Sequence, residues 1–177
     1  MSGVRRVAVL GAESSGKSTL CEALAARYDT LWVPEYLREF VDTMGRVPQE
    51  HEQYPIARTQ REREDAAAAI ATRWLFCDTT PLMTAIYSGH YWKRVDEQLA
   101  VLDREHNYAY TLVTAPDSPW EADGLQRESE AVRQRCHLEV LEVLAARAIP
   151  FLLVSGSLEQ RIVQVDRMLN LSSCRGF

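Results

Sequence analysis

Short, uniformly apolar runs alternate along the chain with longer stretches in which apolar residues return every fourth position. The runs are Val7 to Leu10, Leu31 to Val33, Leu75 to Cys77, Thr111 to Val113 and Phe151 to Val154. For segments this short, the flanking Gly, Pro and β-branched residues favour strand over a piece of buried helix. Strands without polar alternation suit a parallel sheet whose two faces are both covered. Between them, Leu20 and Leu24, then Ala66, Ile70 and Trp74, then Val132, Cys136, Val140 and Leu144 each mark one helical face. The pattern predicts an α/β fold with five parallel strands and helices on both sides. Two irregular stretches, Gly45 to Pro55 and Ala115 to Gly124, carry two prolines each and are read as loops leaving the sheet.

Composition adds bounds rather than detail. A length of 177 residues suits one domain over 1–177. With 46% hydrophobic and 25% charged residues, the composition argues against disorder and against a membrane class. No window reaches the roughly 18 apolar residues of a membrane span, so no membrane partner and a cytoplasmic location are expected. The formal charge of -5 speaks against a nucleic-acid partner and leaves any phosphate recognition to a local site. Cys21, Cys77, Cys136 and Cys174 show no CxxC spacing, and His51, His90, His106 and His137 no metal-ligand spacing, so these side chains read as structural.

The local site is conspicuous. Gly11-Ala12-Glu13-Ser14-Ser15-Gly16-Lys17-Ser18 follows the first predicted strand, opens a helix and matches GxxxxGK[ST] at every fixed position. Gly11 and Gly16 allow backbone N–H groups to converge on phosphate oxygens, and the helix N-terminus adds its positive end. Lys17 is placed to reach the outer phosphates and the Ser18 hydroxyl to ligate Mg²⁺, with Glu13, Ser14, Ser15 and Thr19 completing the nucleotide cradle. The guanine-reading NKxD tetrapeptide is absent, which lowers a GTPase reading.

Carboxylates stand at two other strand ends. Asp78 is placed to hold Mg²⁺ or to take a proton from an attacking hydroxyl; its alternative is to cap the helix entered at Pro81. Glu35 is a candidate base or hydroxyl binder, against the plain role of an acid in a helix first turn. Tyr36 and Arg38 accompany it. A segment of about 115–135 combines Trp120, Glu121, Asp123 and Gly124 with Arg127, Arg133 and Arg135, the composition of a lid whose arginines close on a transferring phosphate.

The stretches GAESSGKST, EYLRE (Glu35 to Glu39), YPIARTQ (Tyr54 to Gln60), CDTTPLMT (Cys77 to Thr84) and PWEADGLQR (Pro119 to Arg127) together resemble the ribosylnicotinamide kinase domain of NadR-type proteins over nearly the whole chain. The resemblance implies a P-loop nucleotide-kinase fold with strand order 2-3-1-4-5. It also implies ATP- and Mg²⁺-dependent phosphorylation of nicotinamide riboside to nicotinamide mononucleotide. In that reading Lys17, Glu35, Asp78 and Arg127 are catalytic, Ser18 and Asp78 organise the metal, and Arg133 assists at the nucleotide. Glu35, Tyr36, Arg38, Asp78, Trp120 and Asp123 bind the substrate, with Tyr36, Trp120 and Asp123 facing the cationic nicotinamide ring and Glu35 and Asp78 closer to the ribose and metal. The family pattern has its arginine directly after Asp-Gly-x, whereas Gln126 stands there in this chain and Arg127 follows. No nucleotidyltransferase HxGH occurs, and the chain is expected to be the kinase unit standing alone. The rivals are another nucleoside kinase, such as one for deoxynucleosides, and a regulatory P-loop ATPase module.

Overall fold

The computed structural model describes residues 3–119 and 129–173. Five parallel strands, β1 (Arg5–Leu10), β2 (Leu31–Val33), β3 (Trp74–Asp78), β4 (Tyr110–Thr114) and β5 (Leu152–Val154), form one sheet in the order β2-β3-β1-β4-β5. The α/β class and the strand order expected from the resemblance are both observed. In register, Val9 lies beside Asp78 on one side and Leu112 on the other, so β1 occupies the centre.

The helices are α1 (Lys17–Arg27), α2 (Tyr36–Met44), α3 (Gln53–Ala68), α4 (Pro81–Trp92), α5 (Glu97–Glu105), α6 (Glu130–Ala146) and α7 (Leu158–Ser173), with one 3₁₀ turn at Glu50–Glu52. Successive strand residues face opposite sides, and this sorts the core. Val7 and Val9 pack with Trp74, Phe76, Leu20 and Leu24 and with Val165 and Leu169 beneath α1 and α7. Ala8 and Leu10 point the other way, toward Leu82 and Met83 of α4 and Cys136, Val140 and Leu144 of α6. Both faces are thus dry, which explains the uninterrupted apolar runs. Among the described residues no helix is long and apolar enough to cross a membrane. Cys21, Cys77 and Cys136 are buried free thiols, each pushed up in pKa chiefly by desolvation; Cys174 lies outside the described residues.

Two sequence expectations are corrected. The step Ala66, Ile70, Trp74 is not one helical face: α3 ends at Ala68, Ile70 is 76% exposed, and Trp74 opens β3. Amide groups of Ile70 and Ala71 both bond to the Ala67 carbonyl, closing the helix before Ile70 can turn inward. Trp74 is instead held in the sheet against Tyr110, with ring centroids 5.8 Å apart. The Gly45 to Pro55 stretch does not leave the sheet either. It joins α2 to α3, and Pro55 is absorbed into the first turn of α3, where its missing N–H breaks no helix bond.

Strand β1 runs into α1, and its neighbours β3 and β4 continue to opposite flanks of the sheet. Strand order therefore reverses around β1, leaving a crevice above the carboxyl ends where open α/β sheets receive ligands.

Candidate active site

The loop between β1 and α1 is shaped by its two glycines. Gly11 has φ 147°, and a Cβ there would overlap Thr114 Oγ1 of β4 and lie 2.9 Å from Ser15 Oγ. Gly16 has φ 82° and caps α1 without a side-chain bond, so the first-turn N–H groups stay open for an anion. Ser15 is not directed at the cleft alone: its Oγ donates to the Ala12 carbonyl at 2.6 Å and lies 2.6 Å from Thr114 Oγ1. Lys17 Nζ donates to the Ala12 carbonyl at 2.9 Å. The ammonium is thus held over its own loop.

Two oxygens that sequence reasoning assigned to a metal meet here. Ser18 Oγ, on the first turn of α1, donates to Asp78 Oδ2 at 2.5 Å. Asp78 ends β3 and is fully buried; the helix cap, its alternative role, falls to Thr80, followed by Pro81 at the first helical position. Between them Thr79 has φ 63°, a left-handed conformation that costs a β-branched residue about 1–3 kcal/mol. It is held by its N–H on the Val9 carbonyl at 3.1 Å and by Thr79 Oγ1 donating to Asp78 Oδ1 at 3.3 Å. A hydroxyl and a carboxylate side by side are hard oxygen donors of the kind Mg²⁺ accepts, with its other ligands drawn from phosphate and water. The pair fits that ion.

Glu35 is the N-cap residue of α2, yet its side chain makes no cap bond and lines the cleft. The first-turn role is therefore not the one it fills. Burial pushes its carboxyl up in pKa, Lys17 opposes this, and the neighbouring Asp78 charge adds to it. A single buried amide fixes the two acidic turns: Gln60 Oε1 accepts from Tyr36 N at 2.8 Å and Gln60 Nε2 donates to the Asp78 carbonyl at 3.3 Å.

The cleft holds about 530 Å³. Glu13 to Thr19 form its floor, Glu35 and Arg38 one wall, and Tyr87, Tyr91 and Trp92 of α4 another, with Val41, Val47 and Pro48 at an apolar end. Tyr36 does not line it; the Arg63 guanidinium sits 4.5 Å from its ring, and Arg63 also pairs with Glu39. Arg133 does not line it either. Only 2% exposed, it donates to the carbonyls of Ser14, Pro116 and Ser118 at 3.2, 2.9 and 2.8 Å. Trp120, Asp123 and Arg127 lie outside the described residues.

Sequence reasoning missed the aromatic wall, Gln60 and Arg161. Tyr87 and Tyr91 did carry a signal, being four apart at the end of a helix that starts beside Asp78. Arg161 carried none.

Comparison with known proteins agrees with this geometry. The family model AAA_28, described as an AAA domain, matches residues 6–161. The trifunctional NAD biosynthesis/regulator protein NadR of Escherichia coli is 31% identical over 156 residues, covering 85% of this chain and 38% of that protein. The chain thus spans little more than a third of the length of this curated relative. A crystal structure of NadR protein in complex with NR superposes with a TM-score of 0.75 at 19% identity, over 87% of this chain and 46% of the other. A NadR structure in complex with NAD and AMP-PNP gives 0.70 at 18% identity, over 86% and 45%. The match of the family model to most of the chain, P-loop and both acidic strand ends included, places this protein in the AAA domain family that AAA_28 describes.

Proposed function

We propose that this protein is a ribosylnicotinamide kinase, transferring the γ-phosphoryl group of ATP to the ribose 5'-hydroxyl of nicotinamide riboside. The observation that carries the reading is the convergence of Ser18, the unbonded-cap Glu35 and the aromatic wall of α4 on one cleft above the P-loop, with the fully buried Asp78, which does not itself line the cleft, bonded to Ser18. The NadR relative and the NadR structures with NR and AMP-PNP support the choice of substrates.

In this mechanism the P-loop amides and Lys17 bind the ATP phosphates, with Nζ leaving the Ala12 carbonyl for phosphate oxygen. Ser18 and Asp78 would hold Mg²⁺, which neutralises phosphate charge when bound. Because Asp78 is engaged there, Glu35 is the better proton acceptor, and its raised pKa brings it closer to the basicity a general base needs near neutral pH. The hydroxyl oxygen attacks γ-phosphorus, the bond to the β-γ bridging oxygen breaks, and the hydroxyl proton passes to Glu35; the products are nicotinamide mononucleotide and ADP. Tyr87, Tyr91 and Trp92 offer aromatic faces to the cationic nicotinamide ring, an interaction worth about 0.5–2 kcal/mol. The roles of Trp120 and Asp123 at the substrate and of Arg127 at the transferring phosphate rest on the resemblance to the NadR kinase domain, since these residues lie outside the described ones.

The test is a product assay with ATP and a panel of nicotinamide riboside, thymidine and deoxycytidine. Nicotinamide mononucleotide should form at the highest kcat/KM. Turnover of a deoxynucleoside with none of nicotinamide riboside would overturn the substrate, and ATP hydrolysis without any phosphorylated nucleoside would overturn the kinase in favour of a regulatory ATPase.

A further inference from the structure

Arg161, on the first turn of α7, is 5% exposed, far from ordinary for an arginine, and every part of its guanidinium is engaged. Nη1 donates to the Ser15 carbonyl at 2.5 Å, Nε to the Gly156 carbonyl at 3.0 Å, and Nη2 to the Ala115 carbonyl at 3.1 Å and to Asp117 Oδ1 at 2.5 Å. Asp117 in turn accepts the Gly156 N–H through Oδ2 at 2.6 Å. One side chain therefore joins the P-loop to the segments that follow β4 and β5.

The bond to Ser15 has a stereochemical consequence. In a trans peptide the carbonyl and the following N–H point in opposite directions, and the described chain has no cis peptide. Holding the Ser15 carbonyl from behind turns the Gly16 N–H the other way, toward the cleft that Ser15 and Gly16 line. Arg133 does the same one peptide earlier: its grip on the Ser14 carbonyl aims the Ser15 N–H. A Cβ at Gly16 would come within 3.1 Å of Arg161 Nη1, so the guanidinium would have to give by a few tenths of an ångström, and the φ of 82° itself favours glycine.

We propose that Arg161 is a positioning residue for phosphate binding, a guanidinium that never touches the nucleotide but fixes the direction of the Gly16 amide in the P-loop by holding the Ser15 carbonyl, with Asp117 fixing the guanidinium. This rests on the P-loop's binding a nucleotide, the first half of the proposed function, and is independent of which hydroxyl receives the phosphate. Successive amides aimed at one point form an anion-binding concavity, and its strength depends on their alignment.

The test compares wild type with Arg161→Met and Asp117→Asn by calorimetry with ATP and, separately, with inorganic tripolyphosphate, alongside thermal unfolding and the KM for nicotinamide riboside. Arg161→Met should weaken ATP and tripolyphosphate by the same factor, about tenfold for the loss of one charge-assisted constraint, while the riboside KM stays within about twofold. Asp117→Asn, which keeps the shape of the network, should weaken both anions by about threefold, and it carries the test if the methionine variant fails to fold. Unchanged anion affinity in either folded variant, or a loss for ATP with none for tripolyphosphate, would overturn the proposal. A lower melting temperature with unchanged affinity would make Arg161 mere packing. Wild type that binds ATP but does not phosphorylate the riboside would overturn the kinase reading alone.

Discussion

Gly11→Ala is expected to destabilise the protein through two separable costs. The new Cβ would overlap Thr114 Oγ1 and approach Ser15 Oγ at 2.9 Å and the Thr114 carbonyl at 3.1 Å, an overpacking cost of about 1–3 kcal/mol. The backbone would also keep φ 147°, a strain of about 1–3 kcal/mol for any residue with a Cβ. The sum, about 2–6 kcal/mol, is a large share of the roughly 5–15 kcal/mol that holds a domain folded. At about 2–4 °C per kcal/mol for a chain of this size, the melting temperature should fall by about 4–24 °C. Thr114→Ala separates the two costs. Alone it removes the hydrogen bond to the Leu10 carbonyl at 3.2 Å and the contact with Ser15 Oγ, about 1–2 kcal/mol together. Combined with Gly11→Ala it also removes the worst overlap, so the double variant should be more stable than the sum of the singles by about 1–3 kcal/mol. Urea unfolding of all four proteins measures this cycle. A Gly11→Ala cost below about 1 kcal/mol, or strict additivity in the double variant, would refute the claim that β4 dictates glycine at this position.

Other changes probe the chemistry and the core. Glu35→Gln should lower kcat by about 10²–10⁴-fold, and the wild-type acid limb of kcat/KM should fall above the ordinary carboxylate range because burial raises this pKa; a limb unchanged in the variant would remove Glu35 from the role of base. Tyr91→Ala should raise the riboside KM by about 2–30-fold with ATP affinity unchanged, as steady-state kinetics at saturating ATP would show. Glu64 is fully buried, and desolvation, opposed by the Tyr108 hydroxyl at 2.8 Å and by Arg61 and Arg6, raises its pKa to about 7. Its folded-state value lies above its unfolded one, so its contribution is most favourable below the unfolded value near 4.5 and is lost as pH rises through about 7. Denaturant unfolding should show wild type losing roughly 3 kcal/mol relative to Glu64→Gln between pH 4.5 and pH 8; parallel pH curves for the two proteins would contradict this.

The sheet was legible because its strands are buried on both faces, which leaves an apolar run of strand length wherever one occurs. The same logic failed at Trp74, where a four-residue step from Ile70 looked helical although a turn intervened; periodicity alone does not register a change of element. The P-loop was legible because its glycines, lysine and hydroxyl are demanded by their own backbone and by phosphate. Asp78 and Glu35 stand out as candidates from their place at strand ends, but the division of labour proposed for them has no sequence signal; that proposal rests on the bond from Ser18 to Asp78 and on Glu35 leaving its cap unmade. Gln60, Arg133 and Arg161 act on backbone carbonyls and amides of distant segments, and such partners have no side-chain signature to recognise. Tyr36 lies beside two predicted site residues in sequence, yet a helix turn sends its ring to Arg63.

The parallel pairing of β1 with β3 also governs when the cleft can exist during folding. Partners such as Arg5 and Trp74 are distant in sequence, and the cleft draws its walls from the turn after β1, from α2 and from α4. No local hairpin or isolated helix contains it. Loop-closure entropy must be met before these segments meet, so the transition state is expected to be reached before any nucleotide site is formed. A nucleotide added to a refolding mixture should then leave the folding rate unchanged and slow unfolding instead, lengthening the life of the native state without hastening its birth.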